Sequence, residues 1–239
     1  MTEALYTTDS YLKEFTASIT AVNSDDKSVT LDRTAFYPGG GGQLPDAGEL
    51  IVDGNTYTVK RAKKQGNDIL HFVEGDSLPD VGLTVTGKID WERRYKAMRT
   101  HTAMHILCGS IWRDYQVSVT GGNMELLEGR MDFEFSELDR DTIAKIEEAI
   151  NQEVSNSRDV EVRILPRKEA FQIPDLIRTK INLLPEGIQE VRVVEILGLD
   201  LQADGGTHVN NTSEVGQIHI TDYKSKGSAN KRLYIKIDE

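Results

Sequence analysis

The chain has 239 residues, 38% hydrophobic and 28% charged, which suffices for one large domain or two small domains with a buried core. No apolar run approaches the roughly 20 residues that span a bilayer, and the first residues lack the order of a secretory signal, so we expect a cytoplasmic protein without membrane contact. The net charge of −11 disfavours extended contact with nucleic acid, because sequence-independent phosphate binding needs clustered lysines and arginines.

The first third of the chain has the pattern of a small β-barrel. Short alternating stretches are separated by turn residues, which is typical of closely spaced antiparallel strands. We therefore predict a first domain at residues 1–90. Its clearest strands are expected at 18–22, 28–31, 56–59 and 83–86.

A glycine-rich segment, FYPGGGGQ, occupies residues 36–43 of this domain. Consecutive glycines supply backbone freedom and accessible N–H groups, which are useful where main chain must approach a ligand closely. The segment has neither a Walker lysine nor the Rossmann order of glycines, so a nucleotide-phosphate site is not expected. A long turn without a ligand is the alternative.

A helical stretch opens the second half of the chain. Asp90 can cap a helix that begins near Glu92 and ends near Tyr115. Thr100 can cap a second helix or lie within a single longer one, and the sequence leaves both arrangements open.

The remaining pattern mixes helix and strand, which predicts an α+β domain at residues 91–239 behind the all-β one. A second helix is expected from about Asp139 to Asn156, where four apolar residues recur at spacings of three and four. It should pack on one antiparallel sheet. The strands expected in that sheet are residues 130–135, 160–165, 190–197 and 215–223.

Two histidines, His101 and His105, stand four residues apart in the first predicted helix. Residues at this spacing share a helix face, so two imidazoles can bind one metal ion. Such a pair alone is more often structural than metal-binding. Thr102 stands where a zinc metalloprotease carries its glutamate base, so peptide hydrolysis is not expected.

A second motif, DGGTH, occupies residues 204–208 and follows an apolar strand. Asp204 and His208 would complete a set of three imidazoles and one carboxylate, which zinc accepts in roughly tetrahedral geometry. A turn with a capping aspartate and a surface histidine is the alternative for this segment by itself. Because only five histidines occur in the chain, the presence of both motifs favours a metal site.

Cys108 is a competing ligand, because it follows His105 by three residues and a thiolate binds zinc strongly. Its apolar neighbours favour a buried structural cysteine instead. His71 and His219 lie in strand-like segments and are expected to be structural.

The three motifs, in this order, resemble the AlaX family of alanyl-tRNA trans-editing proteins, of the medium-length type. That family is similar to the detached editing domain of alanyl-tRNA synthetase. The glycine-rich segment with Asp46 and Gly48, then residues 101–105, then residues 204–209 carry the resemblance over almost the whole chain.

The resemblance implies an N-terminal barrel similar to those of translation factors, followed by a deacylase domain. It also implies a zinc site at His101, His105, Asp204 and His208, and hydrolysis of seryl-tRNA(Ala) with glycyl-tRNA(Ala) as a second substrate. The family carries cysteine at the Asp204 position. A harder carboxylate there weakens the preference for zinc and could admit another divalent ion. Whether the four ligands leave room for a water stays open.

The remaining site residues are weaker candidates. Thr102, Thr207 and Gln43 are expected to act catalytically, through contacts to the hydroxyl, amine or ester of the substrate. The substrate-binding segment would comprise Gly39, Gly40, Gly41, Gly42 and Gln43. The predicted tRNA contacts are Arg93, Arg94, Lys96, Arg99, Lys226, Lys231 and Arg232, with solvated surface charge as the alternative for each cluster.

Two other functions compete with editing. The protein could be a non-catalytic RNA-binding module in which the metal is structural, or a metal-dependent hydrolase of small esters. The expected partner is tRNA(Ala) charged with serine or glycine, and a monomer is the working expectation.

Overall fold

The computed structural model describes residues 1–75, 77–174, 176, 187–227 and 229–239. The chain divides into two compact units, Met1–Lys96 and Ala97–Glu239. The division falls inside helix α1, Trp91–Tyr115, a few residues after the boundary expected from the sequence.

The N-terminal unit contains a closed six-stranded antiparallel barrel, which confirms the predicted fold class. Alternation explains its core: in the second strand Phe15, Ala17 and Ile19 are buried, whereas the residues between them are exposed. A Cβ added at Gly87 would lie 2.4 Å from the Phe15 ring, so the facing strand needs a glycine there. The strands are β1 Glu3–Ala4, β2 Glu14–Asn23, β3 Ser28–Leu31, β4 Arg33–Thr34, β5 Gly48–Val52, β6 Asn55–Gln65, β7 Asp68–Val73 and β8 Thr84–Ile89, with barrel order β2-β3-β7-β6-β5-β8.

The C-terminal unit combines helices with antiparallel strands, in agreement with the predicted α+β class. Its strands form a four-stranded sheet and a three-stranded sheet. The elements are β9 Val119–Glu125, β10 Glu128–Phe133, α2 Arg140–Ser155, β11 Val160–Pro166, α3 Arg167–Ala170, β12 Glu190–Ile196, β13 Asp200–Ala203, β14 Ile218–Ser225 and β15 Lys231–Ile237.

The prediction of one sheet for this unit is wrong. The four-stranded sheet has the order β14-β15-β10-β9, and the three-stranded sheet has the order β11-β12-β13. Alternation of apolar and polar residues identifies a strand and its buried face, but it does not specify the neighbouring strand. β15, which pairs with both β10 and β14, was not among the predicted strands.

Helix α1 is a single continuous helix, which settles the choice left open by the sequence. Thr100 lies within it, and its hydroxyl accepts a hydrogen bond from Leu127 N at 2.8 Å instead of capping a second helix. No helix among the residues that the structure describes is long and apolar enough to cross a membrane.

Helix α2 confirms the second predicted helix. Asp139 caps it by accepting a hydrogen bond from Thr142 N at 2.7 Å, and Ile146 and Ile150 are buried. The helix is joined to β14 by the Asn151 side chain, which both accepts from Ile218 N and donates to Ile218 O. Helix α2 therefore lies against β14 of the four-stranded sheet.

Candidate metal centre

Four predicted ligands come together in the C-terminal unit. His101 and His105 lie one helical turn apart on α1, and Asp204 and His208 follow β13. One possible ligand atom from each residue lies within 4.8 Å of those of the other three. All three histidines are buried, and the Asp204 side chain is 13% exposed. Residues from α1 and from the segment after β13 thus form one buried polar cluster.

The outer nitrogen of His105 is engaged by a carboxylate. His105 Nδ1 and Asp200 Oδ2 lie 2.8 Å apart, and Asp200 is buried on β13. Gln202 Nε2 donates to the same oxygen at 2.8 Å and to Cys108 Sγ at 3.4 Å. Because Nδ1 of His105 faces Asp200, its Nε2 is the nitrogen available to an ion.

The other two imidazoles also have outer partners. Thr102 Oγ1 lies 3.1 Å from His208 Nδ1 and accepts a hydrogen bond from Val209 N at 3.3 Å. The His101 ring hydrogen-bonds to the main chain of Thr207. These contacts fix the direction of each ring, which is the usual arrangement around metal-binding histidines.

The Asp204 carboxylate is held from several sides. Its Oδ2 accepts a hydrogen bond from Gly206 N at 2.7 Å and lies 3.1 Å from His208 Nε2. Its Oδ1 lies 3.6 Å from His101 Nε2. Arg192 Nη1 donates to the main-chain oxygen of Asp204 at 3.0 Å and is 3.7 Å from Oδ2.

The pKa shifts at the cluster suit metal ligands. Burial lowers the pKa of His101 to about 4. Burial also holds the pKa of His208 well below its ordinary value, and repulsion from a protonated His101 adds to this effect. Burial alone would raise the pKa of Asp204, but attraction to His101 and the hydrogen bond with His208 outweigh it and hold this pKa well below its ordinary value. Neutral imidazoles and an ionised carboxylate are the forms that bind a cation.

The donor set therefore fits a divalent ion. Three nitrogens and one oxygen match the ligands of zinc, and the same set suits other divalent transition metals. The cluster formed by the described residues does not include Cys108, which is buried beside Gln202. Its surroundings agree with the interpretation of Cys108 as a structural residue.

The predicted catalytic role of Thr102 stays a prediction. Thr102 is fully buried, and its hydroxyl contacts His208 and Val209 N, so these contacts hold the His208 ring in place. Thr207 is also fully buried, and its main chain contacts His101. The sequence motif located both threonines but could not assign the direction of their side chains.

The glycine-rich segment forms a tight turn in the N-terminal unit. Gly40 and Gln43 exchange two main-chain hydrogen bonds, of 3.1 and 2.9 Å, and the Gln43 residue is buried. Every glycine from Gly39 to Gly42 has a positive φ, between 57° and 133°, which residues with a side chain rarely adopt. The run of glycines is thus required by the backbone path itself.

Arg94 cannot be a tRNA contact, which corrects the sequence prediction. It is fully buried, and its Nε donates to both carboxylate oxygens of Asp46 at 2.9 and 3.0 Å. Its other nitrogens donate to the main-chain oxygens of Ser10 and Ala35. Asp46 also accepts from Tyr37 N at 2.6 Å, so this ion pair anchors the glycine-rich turn.

Most of the other cations predicted to contact tRNA already bond to groups of the protein. Lys226 is exposed. The other five bond to groups of their own unit, with the pairs Arg93 to Pro45 O, Lys96 to Glu92, Arg99 to Val215 O, Lys231 to Ser225, and Arg232 to Asp132.

Two polar residues beside the cluster, Asp200 and Arg192, were not predicted from the sequence. A signal for the first exists, because Asp200, Gln202 and Asp204 alternate and therefore share one face along the strand direction. No comparable signal marks Arg192, since its contact depends on the pairing of β12 with β13.

Comparisons with known proteins agree with this arrangement. Residues 4–93 match the model for class II (A) tRNA synthetases, and residues 191–234 match the second additional domain of threonyl and alanyl tRNA synthetases. Two alanyl-tRNA editing proteins AlaX-M, from Methanosarcina barkeri and Saccharolobus solfataricus, are 39% and 38% identical over 99% of this chain and 99% of each relative. The alanine–tRNA ligase of Pyrococcus furiosus is 38% identical over 92% of this chain and 24% of the ligase. The resemblance seen in the sequence is confirmed, and the chain belongs to the AlaX-M family of alanyl-tRNA editing proteins.

Proposed function

We propose that this protein hydrolyses the ester of seryl-tRNA(Ala), with glycyl-tRNA(Ala) as a second substrate, using a divalent metal ion. Family membership makes the chain an aminoacyl-tRNA deacylase that acts in alanyl-tRNA editing. The finer proposal rests on one observation, the convergence of ligand atoms from His101, His105, Asp204 and His208 within 4.8 Å. Zinc is the proposed ion, and another divalent metal is the alternative because Asp204 stands in place of a cysteine.

The chemistry asked of the site is modest, because an aminoacyl ester is already activated towards water. A bound divalent ion supplies a Lewis acid that polarises a carbonyl and lowers the pKa of water. The protein contributes three buried imidazoles whose rings are fixed, and one ionised carboxylate. Preorganisation of this kind reduces the reorganisation needed during reaction.

Discrimination between serine and alanine gives the physical reason for a separate editing site. A synthetic site shaped for a methyl group rejects serine or glycine poorly, because the groups differ little in size. A site that hydrogen-bonds the serine hydroxyl can discriminate by roughly 10⁴, since bound alanine leaves polar groups unpaired. We propose Thr207 and Gln43, with Gly39–Gly42, as the residues that contact the substrate.

The tRNA body is proposed to contact the β14–β15 hairpin. Lys224 and Lys226 are exposed there, and Lys224 Nζ lies 5.0 Å from the centre of the Tyr234 ring. An aromatic ring beside cations is a common element of RNA-binding sheets. Because the whole chain carries a net charge of −11, this contact should be local and sensitive to salt.

The test is the release of labelled amino acid from seryl-, glycyl- and alanyl-tRNA(Ala), with and without a chelator. We expect metal-dependent loss of serine, slower loss of glycine and retention of alanine. The variant Asp204→Cys reports what the carboxylate ligand changes in rate and in metal choice. If all three esters survive contact with folded, metal-loaded protein, the enzyme proposal fails and the RNA-binding module becomes the better account. Hydrolysis of free amino-acid esters at an equal rate would favour a small-ester hydrolase.

A further inference from the structure

We propose that Asp200 is a positioning residue of the metal centre, which holds His105 with its proton on Nδ1 so that Nε2 faces the ion. This inference rests on the proposed metal-assisted function and adds a residue outside both histidine motifs. Asp200 also places a second negative charge beside the cluster, which favours a divalent cation there.

The geometry of the contact supports a charge-assisted hydrogen bond. His105 Nδ1 and Asp200 Oδ2 are 2.8 Å apart, the distance expected between an imidazole N–H and a carboxylate. The Asp200 side chain is fully buried, and that of His105 is 9% exposed. A carboxylate oxygen accepts, so the imidazole nitrogen that faces it carries the hydrogen.

A glycine on α1, Gly109, leaves the space that this contact needs. A Cβ added at Gly109, one turn after His105 on α1, would lie 2.9 Å from Asp200 Cβ and 3.0 Å from Leu199 O. Any side chain at position 109 would therefore push β13 away from the helix. Gln202 Nε2 donates to Asp200 Oδ2 at 2.8 Å and fixes the carboxylate from the strand side.

Both carboxylates of the centre lie at the two ends of β13. Asp200 is the first residue of the strand, Gln202 lies on the same face two residues later, and Asp204 directly follows the last residue. Asp204 belongs to the ligand cluster, whereas Asp200 contacts the cluster only through the far side of His105 among the described contacts. Carboxylate–histidine–metal arrangements of this type commonly change metal affinity 10–100-fold when the carboxylate is lost.

The decisive variant is Asp200→Asn in the full chain, since asparagine keeps the size and removes the charge. Zn²⁺ affinity is measured by competition with a chromophoric chelator, and the ligand field by the visible absorption of Co²⁺-loaded protein. We expect Zn²⁺ binding to weaken about 10–100-fold and the Co²⁺ spectrum to change. Unfolding of the metal-free variant is measured in parallel.

The matched control is Glu153→Gln, which removes another buried carboxylate of the same unit, bonded to Arg113 and Arg158. It should lose stability and keep the wild-type Zn²⁺ affinity. Equal Zn²⁺ affinity in Asp200→Asn, Glu153→Gln and wild type would overturn the role of Asp200 while leaving the metal site intact. Wild-type protein that binds no divalent ion would overturn the metal-assisted function and this inference with it.

A measurement on the wild type keeps the inference testable if Asp200→Asn does not fold. Nitrogen NMR of the ¹⁵N-labelled imidazoles in Zn²⁺-loaded protein assigns the proton of His105. A proton on Nδ1 is the expected result. A proton on Nε2, or a metal bound through Nδ1, would contradict the role of Asp200.

Discussion

Two buried polar clusters in this chain differ in whether a cationic side chain belongs to the cluster and balances the buried carboxylate. In the N-terminal unit, Arg94 and Asp46 neutralise each other, and the remaining nitrogens of Arg94 bond to main-chain oxygens. In the C-terminal unit, the cluster combines three imidazoles with the Asp204 carboxylate. The first cluster contains its own cation, whereas the second has the donor atoms for one that must come from outside. Both clusters therefore bury polar groups, and what distinguishes the candidate metal centre from the structural ion pair is the lack of a cationic side chain within the cluster.

The largest effect is expected from removing a ligand of the second cluster. His101→Ala deletes one of three nitrogen donors. Because losing only an outer partner of a ligand costs up to about 100-fold, Zn²⁺ affinity and seryl-tRNA(Ala) deacylation should each fall by more than this. Chelator competition and single-turnover deacylation measure both. His219→Ala, a histidine outside the cluster, is the control and should leave both unchanged. Unaltered metal binding in His101→Ala would remove this residue from the ligand set.

A substitution in the Arg94–Asp46 cluster should lower the free energy of unfolding and leave Zn²⁺ affinity unchanged. Arg94→Met leaves Asp46 buried without its cation, which typically costs about 3–5 kcal/mol in the free energy of unfolding. Denaturant unfolding of Zn²⁺-loaded protein measures the loss. Arg93→Met, which removes a half-buried neighbour on the same helix, should cost far less. A fall in Zn²⁺ affinity matching that of His101→Ala would abolish the distinction between the clusters.

A buried histidine of the barrel sharpens the comparison further. Burial lowers the pKa of His71 to about 4, as it does for His101, yet His71 contacts only Thr34 and Val29 O among the described hydrogen bonds. Its folded pKa lies below the unfolded value of about 6.5, so the unfolded state takes up a proton first as the pH falls. Stability from this residue is complete above pH 6.5 and declines towards pH 4.

The expected loss between those pH values is on the order of 3 kcal/mol. Urea unfolding of metal-loaded wild type and His71→Gln at pH 7 and pH 4.5 tests it, and the variant should show the weaker dependence on pH. Parallel pH profiles for the two proteins would exclude His71 as a cause of acid sensitivity.

The smallest effect is expected at Thr102. Thr102→Val removes one hydrogen bond to His208, which is worth about 1 kcal/mol, so Zn²⁺ affinity should fall several-fold. Thr100→Val, on the same helix, removes the bond to Leu127 N and should reduce stability without changing Zn²⁺ affinity. If seryl-tRNA(Ala) deacylation collapses in Thr102→Val while Zn²⁺ affinity is retained, Thr102 contacts the substrate after all.

The local elements and the four residues that cluster were predictable because their signals follow regular spacings. Alternation identified barrel strands, and spacings of three and four identified α2 and the pairing of His101 with His105 on one face. The division into two sheets was not predictable, since β15 joins β10 to β14 across about a hundred residues of sequence. Arg94 was misassigned for the same reason: its partner Asp46 lies 48 residues earlier, and a charged residue is expected at the surface unless its partner is known.

The carboxylate at position 204 also has a chemical consequence for the durability of the site. Peroxide converts a thiolate through sulfenic to sulfinic acid, and a ligand so oxidised no longer binds zinc as before. Imidazole and carboxylate groups do not enter that sequence of reactions, and the only thiol of the chain, Cys108, is buried outside the cluster. The four clustered residues therefore lack the thiolate through which peroxide would attack the same cluster in an Asp204→Cys variant.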